Sequence, residues 1–195
     1  MRWFLATLAA IVLILFTYFG SAYVALSDLV TAARTGDAER IVARTDSVRL
    51  KQSVADQIVW AYLEQVGKTR KISTSERFLA NTVGTTLADA LISQALTTEG
   101  LLLILREGKL LNPSQNIALT ELPRLADLNL KNIQGLAGRI RMIKLREIAI
   151  RIGSNIDRDN NGAVRMRLDG FGWKLSGVDL PPRTLRELAA RLPVR

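Results

Sequence analysis

The 195-residue chain contains neither cysteine nor histidine and only five prolines. Without cysteine there is no disulfide, no thiolate nucleophile and no thiolate-held zinc or iron–sulfur site. Without histidine, the usual acid/base at neutral pH and the commonest metal ligand are missing. These two absences close off most familiar catalytic constellations, and no glycine-rich phosphate loop takes their place. Acidic residues are also in the minority: 18 Asp and Glu face 27 Lys and Arg, a formal charge of +9. Such a surplus draws a domain towards anionic lipid and other polyanions. The cations are scattered and no groove-reading motif accompanies them, so nucleic acid is not an expected partner.

What the chain has in excess is one uncharged run. Trp3 to Leu26 carries no charged residue, and as a helix it would reach roughly 36 Å, enough to cross a bilayer with some tilt. Trp3, Tyr18 and Tyr23 stand near its ends, where amphipathic rings favour the headgroup layer. A cleaved signal peptide is the rival reading, with Gly20-Ser21-Ala22 as a cleavage point. The run is longer than the usual apolar region of about 7–15 residues, which favours a retained anchor. Arg34, Arg40 and Arg44 follow the run and only Arg2 precedes it. A literal count of flanking cations therefore puts the rest of the chain in the cytoplasm. We nevertheless expect it outside, because a long domain translocates largely regardless of its charge.

Beyond the anchor, helical spacing continues through Ala25, Leu29, Ala32 and Ala33 to Thr35. Gly36 stops this helix and Asp37 caps a short one through Ile41 and Val42. Asp46 caps a third through Leu50, Val54, Ile58 and Gln65, in which Trp60 and Tyr62 read as packing residues. Val66 to Thr74 reads as a polar linker whose basic knot, Lys68, Arg70 and Lys71, is a solvated loop rather than a headgroup site. Ser75 to Ala95 reads as another helix. Thr97 caps a short apolar one from Glu99 to Arg106, ended by Gly108. Leu101 to Leu105 are too apolar to lie free and too few to span, so they must pack on a core or on a membrane.

After Pro113 the period changes to two. Ile117 with Leu119, and Leu128 with Leu130, suggest short strands. Ile140 and Met142 alternate, the pattern slips between Ile143 and Glu147 as at a bulge or break, and Ile148, Ile150 and Ile152 resume it. Val164, Met166 and Leu168, then Phe171, Trp173 and Leu175, each define a strand with one buried face. With turns at Asp157–Gly162 and Asp169-Gly170, three strands should form an antiparallel meander. Thr184 and Glu187 suggest a capping box for a last helix running to Leu192. Helices first and an antiparallel sheet afterwards is an α+β arrangement.

Four groups of side chains could carry chemistry. Asp157, Asp159, Asn161 and Gly162 match the first half of a calcium loop, but the bidentate carboxylate position falls on Leu168 and strands flank it, so a hairpin turn is the expected reading. Arg151, Arg165, Arg167 and Lys174 should share the solvent face of the sheet and form a candidate anion-binding face, although an ordinary polar face has the same pattern. Ser176 near Lys174 would be the nucleophile of a hydrolase without histidine or cysteine, yet nothing signals a desolvated lysine or an oxyanion hole. Asp46, Asp56, Glu64 and Asp89 would pair only by accident of folding. We therefore expect no enzyme, no catalytic residue, no metal and no cofactor.

Tyr23-Val24-Ala25-Leu26, Ala33-Arg34-Thr35-Gly36-Asp37, Asp46 and Leu50-Lys51-Gln52-Ser53 together resemble the opening of the bacterial domain-of-unknown-function family 2939. Leu87-Ala88-Asp89-Ala90-Leu91 with Thr97-Thr98-Glu99-Gly100-Leu101 is similar to that family's middle signature, and Gly172-Trp173-Lys174-Leu175 with Leu180-Pro181 to its end. Thr98 stands where the family favours proline. The resemblance implies an anchored bacterial envelope protein and supplies no functional residue. The expected organisation is a transmembrane anchor over 1–26, contacting membrane lipid through residues 3–26, and one extracytoplasmic α+β domain over 27–195. A curved sheet of this kind also resembles cystatin-like and nuclear-transport-factor-2-like cones, by analogy of fold. Two partners follow as expectations: an envelope protein on a scaffolding domain, or a lipid or other hydrophobic ligand in a concave pocket. The expected location is the bacterial inner membrane, with the domain periplasmic.

Overall fold

The longest element is α1, a single helix over Arg2–Thr35. The computed structural model describes residues 2–69, 96–111, 118–122, 124–130, 132–153, 158–170 and 172–190. The sequence-read helix over 75–95, Arg70 and Lys71 of the basic knot, and Asp89, Ile117, Asp157 and Phe171 lie outside these residues.

From Trp3 to Thr17 every residue of α1 is exposed. From Ala22 onwards one side is buried: Ala22, Ala25, Leu26, Leu29, Val30 and Ala33 follow the three-and-four spacing of a helical face and form the centre of the core. The alanines let the sheet approach the helix backbone closely, and burying each Leu or Val contributes about 1.5–3 kcal/mol. The helix stops where the local chemistry demands it. Gly36 takes φ +76°, a left-handed conformation that costs a residue with Cβ about 1–2 kcal/mol. Asp37 then accepts from the Arg40 amide at 3.0 Å and starts α2 (Ala38–Ala43).

The Asp46 carboxylate accepts from the Arg49 amide at 3.1 Å and opens α3 (Ser47–Thr69). That helix continues through Gly67, so the start of the expected 66–74 linker is helical. Thr97 caps α4 (Thr98–Glu107) as expected, and Gly108, at φ +67°, ends it. Leu101 and Leu105 of α4 join the core. The next strands are β1 (Lys109–Leu111) and β2 (Ala118–Glu121), an antiparallel pair. Leu128 and Leu130 are not in a strand: they follow a 3-10 turn over Leu125–Asp127, which Arg34 of α1 holds by donating to the Ala126 and Leu128 carbonyls at 2.7 and 2.8 Å. A short helix, α5 (Ile133–Ala137), precedes the main sheet.

That sheet has four strands in sequence order, all antiparallel: β3 (Ile140–Lys144), β4 (Glu147–Ile152), β5 (Gly162–Asp169) and β6 (Gly172–Asp179). The expected three-strand meander gains a strand because the slip between Ile143 and Glu147 is a hairpin turn at Leu145-Arg146, with a register irregularity beside it. Ile148 pairs with Met166, which pairs with Leu175, and Leu168 pairs with Trp173. This row faces α1, so that face of the sheet is covered by the helix. At the β6 edge, the Leu175 backbone exchanges bonds with Arg44 and Asp46, both 2.8 Å. Gln57 of α3 accepts from the Leu180 amide at 2.9 Å and donates to the Val178 carbonyl at 2.8 Å. An edge that would otherwise invite pairing is thereby covered. The last helix, α6 (Pro182–Ala190), packs on α3. The expected capping box does not form. Proline at the first helical position starts the helix three residues earlier, Thr184 is fully buried within it, and Glu187 pairs with Arg183.

Candidate functional site

The residues singled out for chemistry are mostly committed to the fold. Arg151, Arg165, Arg167 and Lys174 occupy the outward register of β4, β5 and β6, opposite the core row. Arg165 forms an ion pair with Asp179. Lys174 donates to Asp169 at 3.0 Å, and this hydrogen bond, followed by the ammonium charge, holds the Asp169 carboxyl below its usual range. The Arg151 guanidinium donates to the Gly138 carbonyl at 3.1 Å. Arg167 pairs in register with Lys174. Arg141, Arg151 and Arg165 line an open trough of about 730 Å³ on this face, with Asp179 and the apolar Met142 and Ile143.

The candidate nucleophile is equally occupied. Ser176 lies in the irregular register between β5 and β6, is buried, and donates to the Arg165 carbonyl at 3.4 Å. Asp159, of the calcium-like loop, pairs with Arg186 at 3.1 Å. Asp46 serves as a helix cap, and Asp56 is exposed on α3. No group of three or more acidic side chains suited to a metal is found among the described residues.

What sequence reasoning missed is the junction between α1 and the sheet. Trp173 of β6 is buried, packs edge-on against Tyr18 with ring centroids 5.1 Å apart, and donates its indole N–H to Ser21 at 3.1 Å. Tyr18 donates to the Leu145 carbonyl at 2.6 Å and Tyr23 to the Leu130 carbonyl at 3.2 Å. The polar tips thought to face headgroups thus bond to the folded part. Beside them lies an apolar cleft of about 430 Å³, lined by Phe16, Phe19, Tyr23, Leu26, Leu136 and Ile140 among others. The sequence signal was the Lys144-Leu145-Arg146 turn, an apolar residue flanked by two cations between strands. Trp60, expected to pack, is largely exposed beside Pro182 and Leu185. A cavity between α4 and the sheet, near Ile104 and Val164, measures only about 20 Å³ and admits no organic ligand.

Fold and junction together define the class: an α+β domain with an open antiparallel sheet, built around the second half of a helix whose first half is apolar and unburied. That helix is long and apolar enough to cross a membrane as a single-pass anchor, or to act as a signal sequence. Residues 11–104 match the family described as "Protein of unknown function (DUF2939)", and the family resemblance is shown over that stretch. The Gly172-Trp173-Lys174-Leu175 signature lies beyond it. No curated protein and no solved structure matches the chain.

Proposed function

We propose that the chain is a single-pass protein of the bacterial inner membrane whose periplasmic domain is a non-catalytic binding or scaffolding module for another envelope protein. One observation carries the anchored reading. Cleavage at Gly20-Ser21-Ala22 would cut inside a continuous helix and remove Tyr18 and Ser21, the partners of a buried Trp173. A retained helix keeps the core intact. The non-catalytic reading is supported by the commitment of Ser176, Lys174 and Asp46 to structural bonds, and by the lack of histidine and cysteine. For a protein partner, β3 offers an outer edge with no strand partner among the described residues, next to the basic trough.

Carbonate extraction should leave the full-length chain in the membrane fraction, and a reporter active only in the periplasm should work when fused after Arg195. Release of a shortened chain would support a signal peptide, and activity of a cytoplasmic reporter alone would reverse the topology. Crosslinking in membranes should trap an envelope protein. For the ligand-binding alternative, the most apolar opening among the described residues is the junction cleft. Native mass spectrometry showing a lipid bound in defined stoichiometry would favour it.

A further inference from the structure

We infer that the domain is partly immersed in the bilayer, with the β3–β4 hairpin tip at Leu145 and the junction cleft in contact with acyl chains. The inference rests on the proposed anchoring of α1 and adds a depth and a second contact to it.

The part of the helix that stands clear of the domain is too short to cross by itself. Its fully exposed part, Trp3 to Thr17, spans about 22 Å, against about 30 Å of hydrocarbon, and tilting only widens the gap. The missing 8 Å or so brings the apolar layer to about the level of Tyr23. Between Tyr18 and that level the helix is already packed on the sheet, so the sheet's end must share the layer. On its free side α1 shows Phe19, Tyr23 and Val24, all exposed.

The hairpin tip lies in this layer because the Leu145 carbonyl is bonded to Tyr18. Leu145 is 83 % exposed, an apolar side chain held out at a turn where water would favour a polar one. Lys144 and Arg146 flank it, both exposed, and their long stems let the charges rise to anionic headgroups. Among the nearby acids, Glu147 lies in register with Lys144 and Arg167, and Asp169 is bonded to Lys174, so the cations keep a surplus. The polar tips at the junction are satisfied internally: Tyr18 by Leu145, Tyr23 by Leu130, and the Trp173 indole by Ser21. A layer poor in water requires that. The unpaired outer edge of β3 must stay hydrated, which limits immersion to the tip and the cleft.

The test exploits the absence of cysteine. Leu13→Cys, Leu145→Cys and Val48→Cys are placed singly in the full chain, reconstituted in nanodiscs of phosphatidylethanolamine and phosphatidylglycerol, and exposed to a charged maleimide. Val48 is 76 % exposed on α3 and serves as the water reference. Only the thiolate reacts, and it does not form in an apolar layer. Leu145→Cys should label at least about tenfold more slowly than Val48→Cys, and Leu13→Cys should not label. Protein burial cannot produce the slow rate, since Leu145 is open. Labelling of Leu145→Cys at the Val48→Cys rate, with Leu13→Cys protected, would overturn the immersion and leave the anchor standing. Rapid labelling of Leu13→Cys would overturn both.

Discussion

Removal of the Trp173 side chain should loosen the domain from its helix more than any other single truncation at the junction. Trp173 is 1 % exposed and belongs to the core row of the sheet, facing α1. Truncating a buried tryptophan to alanine costs about 3–5 kcal/mol through lost transfer energy and the cavity left behind. Part of that cost is specific. The edge-on contact with Tyr18 contributes about 0.5–1.5 kcal/mol and the indole bond to Ser21 about 1 kcal/mol. Trp173→Phe keeps a ring against Tyr18 and should cost only about 1–2 kcal/mol. Against a typical stability of about 5–15 kcal/mol, the alanine variant loses roughly a fifth or more. Urea denaturation of the full chain in mild detergent, with hydrogen exchange at β4 to β6, measures both variants. Trp60→Ala, at a residue 64 % exposed, should stay within about 0.5 kcal/mol. If Trp173→Ala shifts the midpoint no more than Trp60→Ala, the helix is not part of the core.

Three further outcomes follow from named contacts. Gly108→Ala should destabilise by about 3 kcal/mol or more, because the left-handed backbone is joined by a Cβ 2.0 Å from the Leu122 carbonyl oxygen. Gly36→Ala should cost only about 1–2 kcal/mol, since its new Cβ meets just the end of the Arg106 side chain; equal midpoint shifts would refute the distinction. Gln57→Ala should leave the Leu180 amide and Val178 carbonyl without their partner, at about 1–3 kcal/mol, and speed exchange at Leu180; unchanged exchange would show that the β6 edge does not depend on this side chain. The depressed Asp169 carboxyl contributes stability above its unfolded value of about 3.9, lost as pH falls through the folded value. Lys174→Ala should raise the Asp169 titration followed by NMR, and an unmoved titration would show that the bond from Lys174 does not hold it.

Features governed by local chemistry were legible in the sequence. The stop at Gly36, the caps at Asp37, Asp46 and Thr97, and the alternation of Val164, Met166, Trp173 and Leu175 all stand as read. Features decided by tertiary contact were not. Gly67 reads as a breaker, yet α3 runs through it. Leu145-Arg146 carries none of the usual turn residues, so two strands read as one interrupted strand. Ser176 belongs to the outward set by alternation, but the register irregularity between β5 and β6 buries it, and a Cβ at the neighbouring Gly177 would crowd the Ser53 hydroxyl. The anion-face residues share a face as the alternation implies, whereas their pairing with Asp179, Asp169 and the Gly138 carbonyl depends on neighbours that alternation cannot locate.

The hardest feature to read was where α1 passes from exposed helix to core helix, because lipid and protein interior select the same residues. Ala22, Ala25 and Leu26 suit either, and only the sheet's position assigns them to the core. The overlap has a mechanical consequence. No proline interrupts α1, and its next polar positions are already tied down. Asp28 pairs with Arg44 at 2.8 Å and lies 3.8 Å from Arg40, both on the segment that returns after Gly36, while Arg34 holds the 3-10 turn. Among the described residues, helix, returning segment and sheet are thus tied to one another by direct side-chain contacts. A domain on a flexible tether could turn any face to a partner. Under the proposed anchoring, the basic trough and the open edge of β3 would be held at an orientation set by α1.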